Sequence, residues 1–246
     1  MPKYAKASPK PPASELVAIT ARGKMLAAYD TAAWQATDAI TTAHPKANLS
    51  GRYIARLTEA GWVVDFGRLN DAGDNFLVAY EATQTHSSAR FEIRRFDPMR
   101  EDVGWDVTAS KGIEAAIKDF GERDRPYNIA VLPRTQGGMY VYLYPAQVKA
   151  DVYPLGADVR YCLSPDGTKI IEKRQMHRTI LEYAQAGSSE TVAGGYHTHV
   201  LSDLPEDTDV MLVLTRQPRV PETVGAGAYI FNIDVSGNIA VSDRPK

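Results

Sequence analysis

Gly194-Gly195-Tyr196-His197-Thr198-His199 leads directly into Val200-Leu201-Ser202-Asp203-Leu204-Pro205-Glu206-Asp207-Thr208-Asp209. Val192 to Val200 reads as a buried strand, and strand side chains two apart share a face. His197 and His199 therefore point the same way. Pro205 suits a first helical turn, and carboxylates from Asp203 to Asp209 suit the positive end of a helix dipole. Met211 to Leu214 is apolar enough for strand or helix. Asp209, ten residues after His199 (209 − 199), can fold back from the following element as a third ligand. Two imidazoles, one carboxylate and an open position suit a catalytic Zn²⁺, whose bound water is acidified towards a pKa of about 7. The same residues also read as loop-tying histidines followed by an ordinary helix N-terminus.

Working outward, the composition excludes several classes. The chain has 246 residues, one cysteine (Cys162), five histidines and a net charge of −2. One cysteine makes no intrachain disulfide, Cys₄ zinc site or iron–sulfur cluster. Near-neutral charge gives no reason to expect nucleic acid or an anionic membrane as partner, and no apolar run approaches the ~20 residues of a membrane span. A soluble, cytoplasmic protein is expected. Cys162, between Tyr161 and Leu163, reads as a buried inert thiol.

The rhythm of the chain predicts an α+β fold. Residues 1–13, rich in Lys, Ala and Pro, read as a disordered tail. Residues 14–100 read as an N-terminal region of helix plus antiparallel sheet. Ser14 is the expected N-cap, and Leu16, Ile19, Leu26, Tyr29, Ala33, Ala36 and Ile40 recur at helical spacing towards Ala43. Gly23 leaves open one helix or two; Tyr29 and Trp34 are expected in the core. Residues 101–246 read as a mixed-sheet C-terminal domain with few helices. It begins with an amphipathic helix over Ser110–Phe120, ended by Gly121, and a hairpin of Tyr127–Leu132 with Met139–Tyr144. Helix followed by hairpin in both halves raises the alternative of an internal duplication. Tyr140, Tyr142 and Tyr144 share one strand face: a partner-binding platform, or a packed face with hydroxyls at its rim.

Two families resemble the histidine stretch. His-Thr-His-Val-Leu-Ser-Asp looks like the first metal motif of the PHP phosphoesterases, but that barrel needs further histidines, and none follows His199 in the last 47 residues (246 − 199). Residues 127–246 more closely resemble the JAMM (MPN) metalloprotease fold. The resemblance rests on Gly195-Tyr196-His197-Thr198-His199, Pro205 and Asp209 in order, and on the closing hairpin Tyr229–Val241 around Ser236-Gly237-Asn238. It implies His197, His199 and Asp209 as zinc ligands and hydrolysis of a peptide or isopeptide bond. The chain departs from the family in three ways: the His199–Asp209 gap is one residue short, Glu206 stands where a Ser is usual, and Tyr127–Tyr144 has no acidic residue to act as general base. Glu182, Glu190 and His177 are the remaining catalytic candidates, His177 also as a further ligand. The missing base motivates the other reading, an inactive JAMM-like module that binds a protein or peptide partner, or serves as an accessory or immunity-type protein.

Overall fold

The computed structural model describes residues 10–49, 51–85, 90–184 and 192–244. Most of the tail expected over 1–13 and the candidate Glu190 lie outside the described residues. Within them the order is α1 (Ala13–Ala43), β1 (Arg52–Thr58), β2 (Gly61–Leu69), β3 (Phe76–Thr85), β4 (Glu92–Asp102) and α2 (Trp105–Phe120). Then come β5 (Tyr127–Pro133), β6 (Met139–Pro145), β7 (Val152–Gly156), β8 (Val159–Leu163), β9 (Ile170–Gln175) and β10 (Ile180–Ala184). The chain closes with β11 (Gly195–Thr198), α3 (Asp207–Thr215), β12 (Glu222–Ala226), β13 (Tyr229–Ile233) and β14 (Ile239–Asp243).

This is an α+β fold. Two antiparallel sheets, β1-β2-β3-β4 and β5-β6-β8-β9, each follow a helix. β7 leaves the second sheet to pair with β10. The last sheet, β11-β12-β13-β14, is mixed, because β11 runs parallel to β12. No helix among the described residues is long and apolar enough to cross a membrane.

α1 is one helix of 31 residues. It starts at Pro12, whose extended backbone (φ −60°, ψ 133°) serves as the N-cap; Ser14, the expected cap, lies inside the first turn. Gly23 does not interrupt the helix but sits where α3 crosses it. A Cβ there would meet Val210 Cβ at 2.5 Å and the Asp207 carbonyl oxygen at 2.6 Å, so the glycine is what allows the two backbones to approach. Trp34, expected in the core, is 62% exposed, whereas Tyr29 is 1% exposed. Five residues on a helix turn about 500°, which places the two on different flanks. α2 begins at Trp105, five residues before the expected Ser110, and carries Asp106 into the interior.

One apolar core joins α1 from Leu26 onward, β1–β3, α2 and the sheet of β5, β6 and β8. A second packs Leu16 and Ile19 of α1 against Val210 and Val213 of α3 and Val224, Phe231 and Ile233 of the last sheet. α1 thus contributes to both cores. The tyrosine stripe of β6 is a packed face: Tyr142 donates to Asp207 Oδ2 (2.8 Å) and Tyr144 to Asp30 Oδ1 (2.6 Å), both rings buried.

Candidate metal centre

β11 is shorter than the strand expected over Val192–Val200, but its parity continues past its end. The His199 N–H donates to the Gly225 carbonyl at 2.9 Å, so the backbone stays extended beside β12. His197 and His199 both turn inward, and Thr198 between them is exposed. Asp209 is the third residue of α3, and its Oδ2 accepts the N–H of the capping residue Glu206 at 2.7 Å. That bond fixes the carboxylate and leaves Oδ1 facing the histidines. The acidic stretch therefore caps a helix and offers a possible donor atom with the same side chain.

A third histidine completes the cluster. β9 ends at Gln175, and the chain turns at Met176-His177 before β10. Asp158, in the β7–β8 turn, holds this corner: its Oδ1 accepts the His177 backbone N–H (3.1 Å) and lies 2.8 Å from His177 Nδ1. His177 Nε2 is then 2.9 Å from His199 Nε2 and 3.0 Å from Asp209 Oδ1. His197 Nε2 is 3.1 Å from both His199 Nε2 and Asp209 Oδ1, and His199 Nε2 is 3.2 Å from Asp209 Oδ2. His177, His197, His199 and Asp209 thus bring four donor atoms together in an arrangement that can hold a metal ion.

The surroundings orient every imidazole. His177 Nδ1 meets Asp158, His197 Nδ1 meets Glu222 Oε1 (2.9 Å), and His199 Nδ1 meets the Leu204 carbonyl (2.7 Å). Carboxylates and carbonyls accept only, so each Nδ1 carries a proton and each Nε2 is the nitrogen turned inward. Such outer partners are what metal-ligating histidines characteristically have. Tyr183 of β10 adds to them, its hydroxyl donating to Glu222 Oε1 at 3.0 Å. Arg216 pairs with Glu222 Oε2 at 2.9 Å.

The donor set fits a small cation. Tetrahedral zinc with Zn–N bonds of about 2.0–2.1 Å has donor–donor edges of about 3.3–3.4 Å. The close pairs here run from 2.9 to 3.2 Å. The side chains are 9%, 3%, 1% and 0% exposed for His177, His197, His199 and Asp209, so water screens them little. The buried charges of the cluster govern one another's protons. Burial disfavours the His177 imidazolium, but Asp158 and Asp209 outweigh it and hold its pKa well above the ordinary value. For His197, burial likewise lowers the pKa, yet hydrogen bonds to Asp209 and Glu222 bring it to about 9. Burial pushes Asp209 up, but the charges of His177 and His199 take it well below the usual carboxylate range.

The structure brings His197, His199 and Asp209 together and adds His177 to them. Glu182 it places elsewhere: its neighbour Tyr183 faces the centre, so by strand alternation Glu182 faces out, exposed and 3.5 Å from Arg125. Asp158 and Glu222 escaped the sequence reading. They are 39 and 25 residues from His197 (197 − 158 and 222 − 197), in no local pattern with it. One signal existed: Gly194-Gly195, since a Cβ on Gly195 would overlap Glu222 Oε2 at 1.9 Å. No protein-family model, curated protein or solved structure matches the chain.

Proposed function

We propose that this chain is a zinc protein, a JAMM-like module whose centre is closed by His177 as a fourth protein ligand, and that it binds a protein or peptide partner rather than cleaving one. The observation that carries this reading is the convergence of three Nε2 atoms and one carboxylate within 4.8 Å of one another, as many protein donors as a closed tetrahedral zinc takes. Structural zinc sites are closed in this way, whereas catalytic ones keep a position for water. The nearby carboxylates are also engaged: Glu206 with Arg174, Asp207 with Arg22 and Arg160, Asp158 with His177, and Glu222 with His197 and Arg216.

A hydrolase of peptide or isopeptide bonds is the second reading, and one observation favours it. His177 is the most exposed of the four side chains and is backed by Asp158, so it is the ligand best placed to yield its position to water. Zinc would then polarise a carbonyl and supply hydroxide.

Elemental analysis with X-ray absorption at the zinc edge tests both. The closed centre requires one zinc per chain, three nitrogen and one oxygen donors from protein, and no turnover of peptide or isopeptide substrates. Zinc-dependent cleavage lost in His197→Ala establishes the hydrolase instead. Protein that takes up no metal on reconstitution overturns both.

A further inference from the structure

Tyr140 of β6 lies at the centre of a group of arginines. The guanidinium carbons of Arg160, Arg134 and Arg22 stand 5.0, 5.1 and 5.9 Å from its ring centroid. They come from three separate elements, namely β8, the β5–β6 turn and α1. One carboxylate, Asp207, serves two of them. Its oxygens accept from Arg22 (Nη2 to Oδ1, 2.9 Å), from Arg160 (Nη1 to Oδ2, 2.7 Å) and from the Tyr142 hydroxyl. Arg134 has no carboxylate in ion-pair range among the described residues; its side chain reaches only the amide of Gln136, at 3.4 Å. Three positive charges and one negative leave the group with a net charge of +2 in formal terms.

Such an arrangement is costly as it stands. The Arg22 and Arg160 side chains are 24% and 10% exposed, so water screens their mutual repulsion poorly. Stacking on Tyr140 offsets part of this, because a ring face attracts guanidinium groups. The Arg134 backbone is pinned by the turn, its N–H bonded to the Gly138 carbonyl (3.1 Å) and its own carbonyl to the Gly137 N–H (3.0 Å), so the side chain is held at the edge of the group. Arg174, the next basic residue across β9, is neutralised by Glu206 at 2.7 Å. The unbalanced charge therefore belongs to the Tyr140 group itself.

We propose that Arg22, Arg134 and Arg160, gathered round Tyr140, form a binding site for a phosphate-class oxyanion. Planar guanidinium forks match the tetrahedral oxygens of phosphate, and two or three of them holding one anion is the usual solution for specific phosphate recognition. The site does not depend on the zinc reading, since none of its three arginines touches the histidine cluster's donor atoms.

Titration calorimetry with inorganic phosphate at constant ionic strength tests the proposal, comparing the full chain with Arg134→Gln and Arg134→Lys. Arg134 lies in a surface turn, so these variants keep the fold and the metal centre. Phosphate is expected to bind the parent chain and to be displaced by sulfate. Arg134→Gln should weaken it by about tenfold or more, with Arg134→Lys between the two. Equal affinity in Arg134→Gln would place the anion elsewhere, at the metal centre for instance, and overturn the proposal. So would no detectable phosphate binding by the parent chain at millimolar concentrations.

Discussion

Gly195 and Glu222 face each other across the parallel β11–β12 pair so closely that a methyl group on Gly195 would lie 1.9 Å from Glu222 Oε2. The carboxylate has little freedom to retreat, being held by His197, Tyr183 and Arg216. Gly195→Ala should therefore push Glu222 off His197 Nδ1 while leaving all four metal donors in place. Loss of an outer partner typically weakens metal binding by about 10–100-fold. Competition against a chromophoric zinc chelator should show a drop of that size; unchanged affinity would mean that Glu222 does not orient His197.

How much of this centre was legible depended on distance along the chain. His197 and His199 were readable because strand alternation is local, and Asp209 because it opens the next element. His177 stood alone in the sequence. Its role depends on a corner held by Asp158, and nothing at 158 or 177 reports their contact in the fold. The same limit explains the helices. Apolar spacing located α1, but its unbroken course through Gly23 and the exposure of Trp34 follow from what packs on each flank.

Gly23 offers a direct test of that packing. In an exposed helix, replacing Gly by Ala stabilises by about 1 kcal/mol. Here the added methyl would overlap Val210 Cβ and the Asp207 backbone carbonyl. Gly23→Ala should instead destabilise by about 1–3 kcal/mol, as overpacking does. For a chain of this length, that lowers the melting temperature by about 2–4 °C per kcal/mol. A variant that melts above the parent would contradict the close α1–α3 approach.

Asp106 makes stability depend on pH. Burial raises its pKa most, and a hydrogen bond and charge repulsion from Asp65 add to this, bringing it to about 8. Arg56, which pairs with Asp65 and lies 3.4 Å from Asp106, opposes the rise without cancelling it, while Arg100, paired with Asp65, and Asp102 are the other charges of this cluster. The folded chain thus keeps a proton that the unfolded chain releases near pH 4. Because the folded state binds more protons between about pH 4 and 8, Asp106 makes stability fall as pH rises through that window, by at most about 1.4 kcal/mol per pH unit. Above about pH 8 both states are ionised and the slope from this group ends. Asp106→Asn should remove the slope. Urea unfolding across the range should show the variant gaining on the parent up to about pH 8, then running parallel; a constant difference at every pH would show that Asp106 is ionised in the fold.

Asp207 separates the support of helix α3 from the ligation of metal. Two residues before Asp209 of the candidate centre, it ties α3 to α1 through Arg22, to β8 through Arg160 and to β6 through Tyr142, and its side chain is fully buried. Removing one partner of a buried ion pair leaves the others uncompensated, at a cost of about 3–5 kcal/mol. Asp207→Asn keeps the volume but removes the charge that two arginines share, so a stability loss near the lower end of that range is expected by chemical denaturation. The four metal donors remain, and Asp209 keeps its bond to the Glu206 N–H. On the zinc reading, stoichiometry should therefore stay at one per chain in Asp207→Asn, whereas Asp209→Asn, which gives up the anionic donor, should lose most zinc affinity. If both variants lost zinc equally, the network around Asp207 would have to be counted part of the metal centre rather than its foundation.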